Sequence, residues 1–261
     1  AILADGSVVT WGDLRYGGDC SAVRDQLKGV QQIQASRQAF AAILEDGSVV
    51  TWGDADFGGD SSAVRDQLEG VQQIQAAHQA FAAILEDGSV VSWGCADFGG
   101  DSSAVRDHLR GVQEIQGADF AFAAIVEDGS VVTWGITNCG GDSSAVRDHL
   151  RGVQQIQATA VAFAAIVEDG SVVTWGNGDF GGDSSAVRDQ LEGVQKLQAT
   201  YEGAFAAILA DGSVVTWGDL RYGGDSSAVQ IQLKNVQQIQ STLGAFAAIL
   251  ADGSVVTWGD L

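Results

Sequence analysis

Residues 46–86 read DGSVVTWGDADFGGDSSAVRDQLEGVQQIQAAHQAFAAILE, and this stretch decides the fold. Its opening segment, Asp-Gly-Ser-Val-Val-Thr/Ser-Trp-Gly, occurs seven times along the 261 residues. Successive copies are 41 residues apart, except for one interval of 42. Self-similarity at a fixed period of this size is typical of solenoids and propellers, so the chain is interpreted as an array of repeats. The first glycines of the copies are Gly6, Gly47, Gly88, Gly129, Gly170, Gly212 and Gly253.

Each repeat contains three short apolar runs, which we name strands a, b and c. Around the quoted stretch, the pattern predicts strand a at 71–75, strand b at 81–85 and the following strand c at 89–93. The residues between b and c include Asp-Gly, the strongest short-range signal for a hairpin. Strand c is apolar at consecutive positions, as at Val49 and Val50, which predicts a neighbouring sheet on each face.

A loop with a glycine pair follows strand c, and then comes Asp-Ser-Ser-Ala-Val-Arg-Asp-Gln-Leu in the quoted repeat. This stretch predicts one or two helical turns, capped by Asp or Ser and ended by glycine. The last repeat has Asn235 where the others have that glycine. Because Asn also tolerates the left-handed backbone region, the substitution supports a helix end at this position.

The repeats predict an all-β fold: a seven-bladed β-propeller built from 41-residue repeats, with a short helical turn between blades. The b–c hairpin makes neighbouring strands antiparallel, which suits propeller blades and excludes a parallel β-helix. Seven hairpins predict seven blades in a single repeat domain over residues 1–261. Residues 1–14 are identical to residues 248–261. The chain is therefore either one ring with incomplete end blades or a fragment of a longer array.

The composition is acidic, with 13 basic against 34 acidic residues and a net charge of −21. Such a surface repels phosphate backbones, so nucleic acid is not an expected partner. No apolar run approaches the roughly 20 residues that a membrane-spanning helix needs, so membrane insertion is not expected. Neither the compartment nor the oligomeric state follows from the sequence.

The Val-Val-Thr-Trp-Gly segment, the glycine pair after it and the Ala-Ala-Ile-Leu-x-Asp-Gly approach resemble the regulator-of-chromosome-condensation repeat family. The resemblance covers the whole chain, and it is strongest to the short-repeat branch that includes the secreted propeller-type β-lactamase inhibitor protein. It implies a seven-bladed propeller that works by binding proteins. The nuclear exchange-factor members have longer repeats, an inserted wedge and basic DNA-facing segments, which differ from this chain. The resemblance therefore implies the fold more strongly than the function.

The repeats differ from one another mainly in two loops: the a–b loop between strands a and b, and the exit loop after strand c. In an up-and-down blade these loops share one face, and the Asp-Gly turns lie on the other. Variable loops that carry aromatic anchors on a rigid scaffold are typical of a protein-binding face. The expected partner-binding residues are Arg37, His78, Phe120, Tyr201, Arg15, Tyr16, Arg221 and Tyr222.

Other recurring residues have structural interpretations. Phe57, Phe98 and Phe180 are expected to pack against the glycine pair, and the seven tryptophans to pack within the blades. The Asp-Gly turns lack the several oxygen ligands in one loop that calcium needs, so no metal site is expected. No histidine has a recurring cysteine, serine or carboxylate partner, so neither a catalytic site nor a cofactor is expected.

The sequence thus favours a non-catalytic interaction module, a rigid acidic propeller that binds a partner protein through its variable loops. The alternative is a structural subunit of a larger assembly, docked by its rim or its chain ends, with Ile231 as a candidate contact. A small-ligand propeller would need a recurring polar pocket between blades, and the sequence shows none.

Overall fold

The structure, a computed structural model, describes residues 1–260 as an all-β chain with short 3-10 helices. The strands form six three-stranded sheets, and the strands of each sheet follow one another in the chain. No helix among these residues is long and apolar enough to cross a membrane. The sheets are β1 Val30–Ala35, β2 Ala39–Leu44, β3 Val49–Gly53; β4 Val71–Ala76, β5 Ala80–Leu85, β6 Val90–Gly94; β7 Val112–Gly117, β8 Ala121–Val126, β9 Val131–Gly135; β10 Val153–Ala158, β11 Ala162–Val167, β12 Val172–Gly176; β13 Val194–Ala199, β14 Ala204–Leu209, β15 Val214–Gly218; and β16 Val236–Ser241, β17 Ala245–Leu250, β18 Val255–Gly259.

The 3-10 helices lie in the connections between sheets. A short one occupies the exit loop, and a longer one follows the glycine pair in four of the connections. The short helices are Leu14–Tyr16, Ala55–Phe57, Ala96–Phe98, Thr137–Cys139, Gly178–Phe180 and Leu220–Tyr222. The longer ones are Ser62–Gln67, Ser103–His108, Ser144–His149 and Ser185–Gln190.

The predicted local elements are confirmed within one residue. Strands a, b and c expected at 71–75, 81–85 and 89–93 are β4, β5 and β6 at Val71–Ala76, Ala80–Leu85 and Val90–Gly94. The predicted helical turn is a 3-10 helix whose entry is held by Asp60, since its carboxylate accepts a hydrogen bond from Ser62 N at 2.9 Å. Asn235 has φ 55°, as expected for a residue that replaces glycine at the end of this turn.

The chain forms two compact units. The first comprises Ala1–Glu127 and Val132–Ile136, and the second comprises Asp128–Val131 and the residues from Thr137 on. The first three sheets lie in the first unit, apart from the first residue of β9, and the last three lie in the second unit. The single domain expected over residues 1–261 stays a prediction.

The structure has six complete sheets where the sequence predicts seven blades. The hairpin at residues 1–14 contains no strand a and only part of strand b, and it is joined by the isolated antiparallel bridge Ile2–Val8. Trp11 in this hairpin is 73% exposed, whereas its counterpart Trp93 is 3% exposed. Six sheets and one partial hairpin are therefore present among residues 1–260, and the count of seven blades stays a prediction.

The tryptophans of the six sheets pack within the blades, as predicted. In every sheet a phenylalanine of strand b stacks on the tryptophan of strand c, with ring centroids about 5 Å apart. In the second sheet, Trp93 Nε1 also donates a hydrogen bond to Gly58 O of the preceding exit loop at 3.1 Å. The indole is thus buried with its only polar atom satisfied.

Successive sheets pack face to face through small residues. Between the first two sheets, Ala39, Ala41 and Ile43 of strand β2 cover the fully buried Ile74 and Phe81 of the next sheet. Burial of a large apolar side chain stabilises a fold by roughly 1.5–3 kcal/mol. The same packing recurs between the successive sheets of each unit, so the interfaces between these sheets contain the core.

Candidate partner-binding site on the variable loops

The a–b loop and the exit loop of a repeat lie side by side, at the same end of the strands of their sheet. In the first unit, Ser36 Oγ of an a–b loop donates a hydrogen bond to Phe57 O of the exit loop at 2.8 Å. In the second unit, Thr200 Oγ1 donates in the same way to Tyr222 O at 3.3 Å. Each a–b loop joined in this way presents its variable side chains next to those of an exit loop.

Backbone hydrogen bonds also join the a–b loops of successive sheets. In the first unit, Arg37 N donates to His78 O, and His78 N donates to Asp119 O, both at 3.1 Å. In the second unit, Ala160 N donates to Tyr201 O at 2.9 Å. These bonds use main-chain atoms only, so the loop positions do not depend on the side chains that the loops carry.

Three of the expected partner-binding residues come together in the first unit. His78 is surrounded by three rings, with centroids at 6.0 Å for Phe57, 6.4 Å for Phe98 and 6.2 Å for Phe120. Arg37 Nη1 lies 2.9 Å from His78 Nε2. We name these five residues the His78 cluster. It combines an exposed cation with half-buried aromatic rings.

The contact with Arg37 fixes the protonation of His78. A guanidinium group can only donate, so Nε2 must accept and the proton of the neutral ring must sit on Nδ1. His78 Nδ1 is buried, and no hydrogen-bond partner for it is present among residues 1–260. Burial lowers the pKa of His78 below its usual 6.5; Asp119 raises this pKa and Arg37 lowers it further. The cluster therefore holds a neutral histidine beside a permanent cation.

Arg15 and Arg221 are placed differently, because each is held by an aspartate of its own exit loop. Arg15 Nη2 lies 2.8 Å from Asp13 Oδ2, and Arg221 Nη2 lies 2.6 Å from Asp219 Oδ2. Both guanidinium groups also lie over the next tyrosine ring, at 5.7 Å for Tyr16 and 5.1 Å for Tyr222. The charges of both arginines are thus largely compensated within the loop.

Tyr201 lies in the second unit, in the a–b loop that contains the inserted residue. Its side chain is 43% exposed, and its main-chain oxygen is the acceptor for Ala160 N. Tyr222 in the adjacent exit loop is half-buried, and its main-chain oxygen accepts the hydrogen bond from Thr200 Oγ1. The second unit therefore carries its own aromatic group on the variable loops.

Phe57 and Phe98 belong to the cluster, although their near-periodic recurrence favoured packing against the glycine pair. Phe57 does pack against the core, and its ring also contacts His78. Phe98 lies 5.0 Å from Phe120, centroid to centroid. The signal that could have indicated the cluster is the repeat period, since Arg37, His78 and Asp119 occupy one position in three successive repeats.

The Asp-Gly turns at the other ends of strands b and c are closed by local hydrogen bonds. Asp46 Oδ1 accepts from Ser48 N at 3.0 Å and from Ser48 Oγ at 2.6 Å. Over the described part of the chain, no group of three or more His, Cys, Asp or Glu side chains is placed to hold a metal ion. These carboxylates are engaged in turn formation.

Comparison with known proteins adds to the sequence resemblance at the level of the fold. No protein-family model matches the chain, and no curated protein sequence matches it. Among solved structures, the chain is similar to yeast RCC1 (Prp20) bound by Kap60, with 18% identity over 90% of this chain and 71% of that chain at a TM-score of 0.55. It is also similar to Prp20p from Saccharomyces cerevisiae, with 16% identity over 90% and 73% of the two chains at a TM-score of 0.53.

A third similar structure is the CRINKLY WD40 ectodomain of the Arabidopsis thaliana receptor kinase ACR4. It shares 15% identity over 92% of this chain and 86% of that chain, at a TM-score of 0.51. Identities of this size support a shared architecture and leave function open. Together with the six sheets and the repeated Phe–Trp packing, they show that the chain has a β-propeller fold similar to that of these structures.

Proposed function

We propose that this chain is a non-catalytic interaction module that binds a partner protein through its variable loops, with the His78 cluster as the main contact in the first unit. The observation that carries the proposal is the convergence of Arg37, His78 and Phe120, each selected by its departure from the repeat. The module is acidic as a whole, with a net charge of −21.

The chemistry of the cluster supports this proposal. Arg37 takes part in none of the ion pairs found among residues 1–260. A guanidinium group has five N–H donors, so Arg37 keeps donors for a partner after its contact with His78. Arginine beside aromatic rings is the composition typical of residues that dominate binding energy at protein interfaces.

The test is capture from an extract of the native organism on the immobilised chain. Proteins that bind the wild type should be lost with Arg37→Glu and strongly reduced with Phe120→Ala, since truncation of a central interface residue costs about 2 kcal/mol or more. The matched control is Arg65→Glu, which makes the same charge change at an exposed position of a 3-10 helix.

Two outcomes would contradict the proposal. If Arg37→Glu and Arg65→Glu weaken capture equally, net charge rather than the His78 cluster controls binding. If neither variant changes capture, the variable loops of the first unit are not the contact. Tyr201→Ala tests the second unit separately, because Tyr201 is exposed on the a–b loop there.

The proposal includes the seven blades expected from the seven copies of the hairpin. It also includes the expectation that nucleic acid is not a partner, since 34 acidic residues oppose a phosphate backbone. Both are testable on the purified chain: the blade number by an experimentally determined structure, and nucleic-acid binding by titration with duplex DNA at low salt.

A structural subunit of a larger assembly is the second candidate, favoured by apolar side chains exposed outside the variable loops. Ile231 is 85% exposed and Trp11 is 73% exposed. If this candidate is correct, Ile231→Glu should disrupt association with other chains while Arg37→Glu leaves it intact. The opposite pattern favours the variable loops.

A further inference from the structure

The second unit contains a cavity at the strand-a edge of its three sheets, lined by six polar side chains and by the apolar residues Leu197, Ala206, Ile208 and Ile239. The cavity has a volume of about 260 Å³. Six side chains of β10, β13 and β16 line it in pairs, two from each strand, at positions that recur in every repeat. They are Gln155, Gln157, Lys196, Gln198, Gln238 and Gln240.

A β-bulge at the start of strand a creates this polar edge. In β13 the register with β14 shifts between Val194 and Lys196, which lets both Val194 and Leu197 point into the core. The exposed Lys196 and the half-buried Gln198 alternate with Leu197 along β13, and all three line the cavity. The same shift occurs in β10 and β16, so the glutamine pairs of successive strands are aligned.

The charge of the cavity is opposite to that of the chain. No carboxylate lines it, although the chain has 34 acidic residues. Lys196 forms no ion pair with any described residue, and its Nζ donates only to Gln237 O at the long distance of 3.4 Å. Lys196 is therefore the one charged side chain among the described residues that line the cavity.

The glutamines supply directional hydrogen bonds of both kinds, because each amide has two donors and an acceptor. Gln198 is already held in place, since its Nε2 donates to Ser241 Oγ at 2.9 Å and that hydroxyl group donates to Ala199 O at 2.6 Å. An ammonium group among positioned amides matches an anionic head group on a molecule that also carries hydroxyl groups.

We propose that this cavity binds a small organic carboxylate that carries hydroxyl groups, of the sugar-acid class. Lys196 binds the carboxylate, and the amides of strand a bind the hydroxyl groups. The volume of about 260 Å³ is large enough for one hexose-sized ring. The site is separate from the His78 cluster, which lies in the first unit.

The test is calorimetric titration of the full chain with sodium glucuronate. The wild type should bind it, and Lys196→Gln should weaken binding about tenfold or more, because a charge-assisted hydrogen bond is lost. This variant keeps the fold, since glutamine occupies the equivalent positions Gln155 and Gln238. Lys234→Gln is the matched control, with the same charge change at an exposed residue outside the cavity, and it should bind as the wild type does.

Glucose tests the role of the carboxylate and should bind about tenfold more weakly than glucuronate. The proposal is overturned if the wild type does not bind glucuronate, if Lys196→Gln binds it as tightly as the wild type, or if glucose binds equally well. Arg37→Glu should leave glucuronate binding unchanged, so a failure of this site is distinguishable from a failure of the proposed protein-binding function.

Discussion

The Asp-Gly turns and the a–b loops are both short connections to strand b, yet one is nearly constant among the repeats and the other varies. At the turn, a Cβ on Gly47 would lie 2.9 Å from Gly70 Cα of the following connection, so no side chain fits. At the a–b loop, Arg37 and His78 meet through main-chain atoms, which any residue provides.

The difference shows that a position keeps the same residue in every repeat where no other side chain would fit. A position varies where the surrounding structure accepts many side chains. The a–b loops vary because their backbone bonds hold them in place whatever side chain is present. Variation alone therefore does not identify a binding site. The convergence of Arg37, His78 and Phe120 is the additional observation on which the proposed binding site rests.

The largest effect is expected at the turn. Gly47→Ala should lower the free energy of unfolding by about 3 kcal/mol, because the residue has φ 76° and its new Cβ would press on Gly70. Gly253→Ala is the matched control: φ is 83°, but among residues 1–260 no atom outside Gly253 and its two chain neighbours lies within 4 Å of the new Cβ. It should cost about 1 kcal/mol, and equal losses in urea denaturation would refute the steric explanation.

The turn carboxylates should make the fold sensitive to acid. Hydrogen bonds from the side chain and then the backbone of Ser48 lower the pKa of Asp46 below 3.8. In the other turns, the serine two residues after the aspartate lowers its pKa in the same way; these aspartates are Asp87, Asp128, Asp169 and Asp211. Because the pKa values are lower in the folded state, this stability is complete above about pH 4 and is lost as pH falls through the folded values. Melting temperatures measured across this range should fall accordingly, and less steeply for Asp87→Asn, which cannot titrate.

In the a–b loops, His78 should make a smaller contribution to the pH dependence of the free energy of unfolding. Burial lowers the pKa of His78 in the folded chain, with Asp119 opposing and Arg37 adding to the shift. Its contribution to stability is therefore complete above pH 6.5 and decreases as pH falls below that value. His78→Ala, which has a natural counterpart in Ala160, should remove this part of the pH profile. Identical profiles for the two proteins between neutral pH and pH 5 would contradict a neutral, buried histidine.

The smallest effect is expected for Arg37→Ala. The free energy of unfolding should change by no more than about 0.5 kcal/mol, since the side chain is exposed and the bond from Arg37 N to His78 O stays. Hydrogen exchange at the residue-37 amide should remain as slow as in the wild type. Fast exchange in the variant would show that the Arg37 side chain, rather than the main-chain hydrogen bond, holds the a–b loop in place.

Much of the local structure was predictable because it depends on neighbouring residues. The three strands of each repeat, the hairpin at Asp-Gly and the left-handed Asn235 follow from period, turn chemistry and φ preference, and each was found. Incomplete end blades were one of the two alternatives that the sequence left open, and the structure shows residues 1–14 as a partial hairpin joined by the bridge Ile2–Val8. The predicted partner-binding residues were found on exposed or half-buried loop positions, and their role stays a prediction.

The sequence by itself determined the repeat, the strands and the positions where residues are free to vary, because these are encoded within about 40 consecutive residues. Only the tertiary structure decided which variable residues meet. It placed Arg37 against His78, tied Arg15 to Asp13, and aligned the glutamines of three strands around Lys196. The physical reason is that these contacts depend on the packing of one sheet on the next and on a bulge in strand a, which set distances between residues far apart in the chain.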